Sequence, residues 1–136
     1  MKNLTLTGRI LFALPFFVMG LNHFFMVDFF IGKLTSFIPG AAFTIMLTGI
    51  FLIAAAISIV IKKYIKLACS LLALLLFIFV LSIHIPNLVN AIQESSGDKT
   101  AIMPPFVTML KDIGLMGGAL FIASIYKKGE NEAAFF

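Results

Sequence analysis

The chain has 136 residues, of which 61% are hydrophobic and 12% are charged, with a formal net charge of +4. A soluble domain of this size leaves much of its surface in water, and its surface needs about twice that share of charge. The 16 Phe residues and the wealth of Leu and Ile exclude disorder, and a single cysteine, Cys69, excludes a disulfide scaffold. Lipid is the solvent that this composition fits.

Crossing about 30 Å of hydrocarbon takes about 20 helical residues at ~1.5 Å each. Four segments meet that length: residues 10–30, 41–61, 67–85 and 106–126. The first follows Lys2 and Arg9 as a secretory signal would, but His23, Phe24 and Phe25 occupy the place where small residues mark cleavage, so it reads as a retained span. A turn with Pro39 and Gly40 is expected over residues 35–40, a basic turn over 62–66, and a polar loop over 93–105 that includes Pro104 and Pro105. Pro15 and Pro86 are expected to bend or loosen the first and third helices. The tail, residues 129–136, is expected to fray. The fold class is therefore all-α: one domain over residues 1–136, an integral membrane bundle of four helices.

The basic residues flank these apolar runs instead of gathering on one face, which argues against nucleic acid as a partner. Lys2, Arg9, Lys62, Lys63, Lys66, Lys127 and Lys128 fall on one side of a four-span chain, against Lys33, Lys99 and Lys111 on the other. That asymmetry places both termini in the cytoplasm. Small residues identify helix contacts in lipid. Gly49 on the second helix, and Gly114 and Gly118 on the fourth, are the expected packing positions.

Counting along the spans gives depths. Asn22 and His23 lie about 18–20 Å along the first helix, and Lys111 and Asp112 about 8–9 Å below the same outer surface. His84 and Asn87, one turn apart, come near the outer end of the third helix. Asn22, His23, His84, Asn87, Lys111 and Asp112 thus form a candidate polar layer in the outer leaflet. Ionisable groups at such depth face a bundle interior or a wet cavity, where they either fix helix register or serve a ligand. Lys111 and Asp112 point about 100° apart, so each is expected to pair with a different helix: Lys111 with a carbonyl or Asn, and Asp112 with His23 or His84.

A lone Cys69 cannot run disulfide exchange, which needs a pair of thiols. No compact ligand motif supports a metal site, and two histidines on different helices are thin support for haem. No catalytic set is complete.

The stretch Gly20-Leu21-Asn22-His23-Phe24, the following Asp28-Phe29-Phe30, Thr48-Gly49, His84-Ile85-Pro86, and the segment from Lys111-Asp112-Ile113-Gly114 through Gly117-Gly118-Ala119-Leu120 resemble the DoxX-like membrane proteins. The resemblance touches nearly the whole chain. It implies a four-helix protein of the bacterial inner membrane; some relatives are subunits of quinone-linked sulfur oxidation or partners of soluble thiol and oxidative-stress enzymes. One departure matters: many relatives carry Glu shortly after the Thr-Gly pair, where this chain has Leu52. The expected role is that of a non-catalytic subunit or partner of a membrane-associated redox system. The alternative is a binder of a small lipophile such as a quinone, with Phe16, Phe24 and Phe25 lining its apolar part. Transport of a small solute comes third. Oligomerisation is compatible with each.

Overall fold

The computed structural model describes residues 2–34 and 38–126. Every described element is helical: α1 (Lys2–Phe25), α2 (Val27–Ile31), α3 (Ala41–Ile61), α4 (Ile65–Phe79), a π-helical turn (Val80–His84), α5 (Ile85–Glu94) and α6 (Lys99–Ile125). Helix α4, the π turn and α5 form one continuous rod, so among the described residues four helices are long and apolar enough to cross a membrane: Asn3–Phe25, Ala41–Ile61, Ile65–Glu94 and Lys99–Ile125. This is the build of a multi-pass membrane protein, with large apolar side chains such as Leu11, Phe43, Phe51, Leu71 and Phe121 facing outward.

The second span has its expected bounds; the other three are longer or differently placed. The first begins at Lys2 and stops at Phe25, because Met26 leaves the helical region (φ −127°, ψ 40°) before α2 starts. The expected loop over residues 93–105 shrinks to the turn at 95–98. Asp98 caps α6, its side chain accepting from the Thr100 amide at 2.9 Å, and the helix continues through Pro104 and Pro105. These prolines have no N–H to offer the carbonyls one turn back. Pro86 acts differently, since a π turn immediately precedes it and the Ile85 amide bonds the Val80 carbonyl five residues back. A widened turn just before the proline is the loosening that Pro86 was expected to cause. Pro15 leaves α1 unbroken.

Of the expected turn over 35–40, residues 35–37 lie outside the described residues. Gly40 caps α3 at φ +70°, a conformation that glycine adopts without strain. The basic turn is tight, with Lys62 and Tyr64 both left-handed, and Lys66 already belongs to α4. Lys127, Lys128 and residues 129–136 also lie outside the described residues.

The helices pack as two pairs, α1 on α3 and α4 on α6, joined by α3 on α4. The α1/α3 crossing is closest at two glycines. A Cβ on Gly49 would stand 2.9 Å from both the Gly20 carbonyl oxygen and the His23 Cβ; one on Gly20 would stand 2.7 Å from Ile53. Gly118 receives the ring of Phe12, 2.8 Å from its Cβ position. Gly114 corrects the packing expectation: it is exposed with nothing within 4 Å, since the stripe that faces the bundle on α6 runs through Asp112, Ala119 and Ala123. Gly20 is the packing glycine that the spacing argument passed over.

The core occupies the half of the bundle nearest the basic turn, where Ile59, Ile65 and Cys69 are fully buried among Ala13, Leu72, Ala73 and Ala119. In the other half the pairs diverge. Among the described residues α1 and α6 make no backbone approach, nor does α3 approach α5 or α6. A wedge is left open between the pairs.

Candidate functional site

The wedge is a cleft of about 1150 Å³. One wall is built from α1, α2 and α3, the other from α4, the π turn, α5 and α6. Its floor is the top of the core, formed by Phe16, Leu52, Leu76 and Leu115. Helical spacing explains which side chains line it. Thr44, Thr48 and Leu52 recur every fourth residue on α3, and Asn87, Asn90, Ala91 and Glu94 form one stripe on α5.

On the second wall Asp112 is 7% exposed and lies near the middle of α6. His84 Nε2 donates to its Oδ2 at 2.7 Å, and Lys111 Nζ stands 3.3 Å from its Oδ1. One carboxylate therefore bridges two cationic or donor groups. The pairing of Lys111 corrects the expectation from helix geometry: its long, flexible stem swings the ammonium back to the neighbouring carboxylate despite the divergent Cβ directions. Asp112 is also deeper along its helix than the span arithmetic gave, because α6 starts at Lys99, before Phe106.

On the first wall His23 is 8% exposed. Its Nδ1 lies 2.7 Å from the Met19 carbonyl oxygen, and its ring stacks on Phe30 with centroids 4.1 Å apart and planes 18° from parallel. A carbonyl only accepts, so Nδ1 carries the proton. Helix α2 thus serves as a bracket that holds the His23 ring. Asn87 donates to the Lys33 carbonyl at 3.2 Å, tying α5 to the segment after α2 across the mouth.

Five of the six residues expected to form the polar layer line this cleft: His23, His84, Asn87, Lys111 and Asp112. Asn22 does not; it is half-buried on α1, where its carbonyl accepts from the Met26 amide. Of the aromatic residues expected to line an apolar pocket, Phe16 does, whereas Phe24 and Phe25 do not. Phe24 reaches the Gly49 position and Phe25 is 81% exposed. Phe29, Phe30 and Phe79 take their place. Thr48, 7% exposed, is a cleft residue that the search for ionisable groups missed; its four-residue spacing from Thr44 and Leu52 was the available signal. Cys69 lies in the core, away from the cleft. Among the described residues no three His, Cys, Asp or Glu side chains gather where a metal ion would be held.

Comparison with known proteins gives no match to any family model, curated protein or solved structure.

Proposed function

We propose that this chain binds a small lipophile in the cleft between its two helix pairs. The observation that carries the reading is the gradient along that cleft: a buried apolar floor of Phe16, Leu52 and Leu76, then a polar belt of His23, Thr48, His84 and Asp112, then a mouth at Lys33 and Glu94. Ligand sites have this composition, apolar walls with a few placed polar groups. A ring-bearing amphiphile such as a quinone suits it, its apolar body against the phenylalanines and its polar end in the belt. Leu52 stands at the floor without a carboxylate, and the buried carboxylate of the cleft, Asp112, is held by His84 and Lys111; this favours binding over catalysis.

The basic turn at Lys62, Lys63 and Lys66, with Arg9 beside it donating to the Val60 carbonyl at 3.4 Å, favours a topology with both termini cytoplasmic; the bacterial inner membrane is what the DoxX-like resemblance implies. The cleft then faces the opposite side. The quoted motifs support a DoxX-like relationship. A second reading, a non-catalytic subunit of a membrane redox assembly, is favoured by the open face at Gly114 and Gly117, where a partner helix has room for close approach.

The test is a thermal-shift titration of delipidated protein with ring lipophiles, short-chain quinones among them. A saturable rise in midpoint that is reduced in Leu115→Trp, which fills the floor, supports the reading. No shift with any compound contradicts it.

A further inference from the structure

The polar belt has a direction, and we infer that the cleft selects an uncharged head group that donates a hydrogen bond, an alcohol or phenol, over the same molecule with its hydroxyl proton replaced. This rests on the binding role proposed above and adds the chemistry of the ligand's polar end.

Two observations carry it. The first is the hydrogen-bond inventory of the α1/α3 wall. With Nδ1–H committed to the Met19 carbonyl and the ring clamped on Phe30, the neutral His23 ring keeps Nε2 as a bare acceptor. Nε2 has no hydrogen bond to any described residue, and neither has the Thr48 hydroxyl. Both side chains are more than nine-tenths buried and line the cleft. Neither polar atom is sealed in, since Arg9 Nε and Ser95 Oγ are the described buried side-chain atoms that lack both partner and access. An acceptor and a hydroxyl that open onto the cleft at one helix crossing, with no partner among the described residues, are free to take a ligand's polar atoms. Thr48 and His23 both line the cleft from the α1/α3 wall, at the crossing where Gly49, next to Thr48, meets the His23 Cβ. A ligand hydroxyl donates a hydrogen bond to His23 Nε2, and its oxygen accepts one from Thr48 Oγ1.

The second observation is charge. Lys33 and Lys111 line the cleft together with Asp112 and Glu94, two cations against two anions, and Asp112 is already engaged by His84 and Lys111. Lys33 and Glu94 are exposed at the mouth, so an ionised head held in the buried belt would bring an uncompensated charge into a partly desolvated site. A neutral donor fits both constraints.

The experiment titrates the delipidated full chain with a 4-alkylphenol and with its methyl ether, reading affinity from the saturation of the thermal shift. The cleft volume leaves room for one added methyl group. The expected result is at least a tenfold preference for the phenol, because the ether leaves Nε2 unpaired. His23→Phe keeps the stacked ring and collapses the preference. Thr48→Val weakens both compounds while the ratio persists, since both oxygens accept from Thr48. Equal wild-type affinities overturn the inference and leave lipophile binding standing, and that ratio needs no variant. An undiminished preference in a folded His23→Phe protein also overturns it. If neither compound binds, the inference falls together with the binding role.

Discussion

His84 Nε2 donates to Asp112 Oδ2 at 2.7 Å, and this bond joins the π turn to the middle of α6 at the level where the two helix pairs separate. The π turn and the proline behind it set the position of His84. The bond fixes one wall of the cleft while the other wall is held by the glycine crossing of α1 and α3. Two differently built walls therefore face each other, one fastened by a polar bridge and one by close backbone contact.

The bridge is testable as a coupling. In a double-mutant cycle of His84→Ala and Asp112→Ala, followed by unfolding in detergent, we expect an interaction of about 1 kcal/mol, the usual size for polar pairs between membrane helices. Strict additivity of the two single changes would show that the contact contributes nothing to the wall.

The glycine crossing predicts a contrast between positions. Gly49→Ala puts a Cβ 2.9 Å from backbone and side chain of α1, so the helices must part, at a cost of about 1–3 kcal/mol. Gly114→Ala meets nothing and should leave the unfolding midpoint unchanged or raised, as alanine is the better helix former. Equal losses at the two positions would contradict the packing described.

The Thr100 amide and hydroxyl, both donating to Asp98, hold its carboxyl below the ordinary carboxylate range. A depressed folded pKa adds stability above the unfolded value, and this is lost as pH falls through the folded one. The protection of the Thr100, Ala101 and Ile102 amides against hydrogen exchange, each rate taken relative to its intrinsic rate at the same pH, should therefore fall on acidification below pH about 4, and Asp98→Ala should show the low protection already at neutral pH. Protection insensitive to both changes would rule out the cap.

The apolar centres of all four spans were legible in the sequence, because runs this long and this poor in charge have one physical reading. Their ends were not. The third span reads as ending at residue 85 because polar residues follow, yet Asn87, Asn90 and Glu94 fall on one helical stripe that faces the cleft. Pro104 and Pro105 mimic a loop, but the cap at Asp98 starts the helix before them. At the site, ionisable residues inside apolar runs pointed to His23, His84, Lys111 and Asp112. Thr48 escaped because a hydroxyl can hide in a helix by bonding its own backbone, and only the three-dimensional inventory shows that this one does not.

A fluorescent reporter reads directly whether a lipophile site has its floor at the core. The chain has no tryptophan, so Phe79→Trp at the cleft and Phe121→Trp on the exposed face of α6 each introduce one. Both are titrated with an alkylphenol brominated in its tail. Saturable quenching of the tryptophan at position 79, with only the linear response of bilayer partitioning at position 121, is the expected result. The same unsaturable response at both positions would contradict a binding site in the cleft.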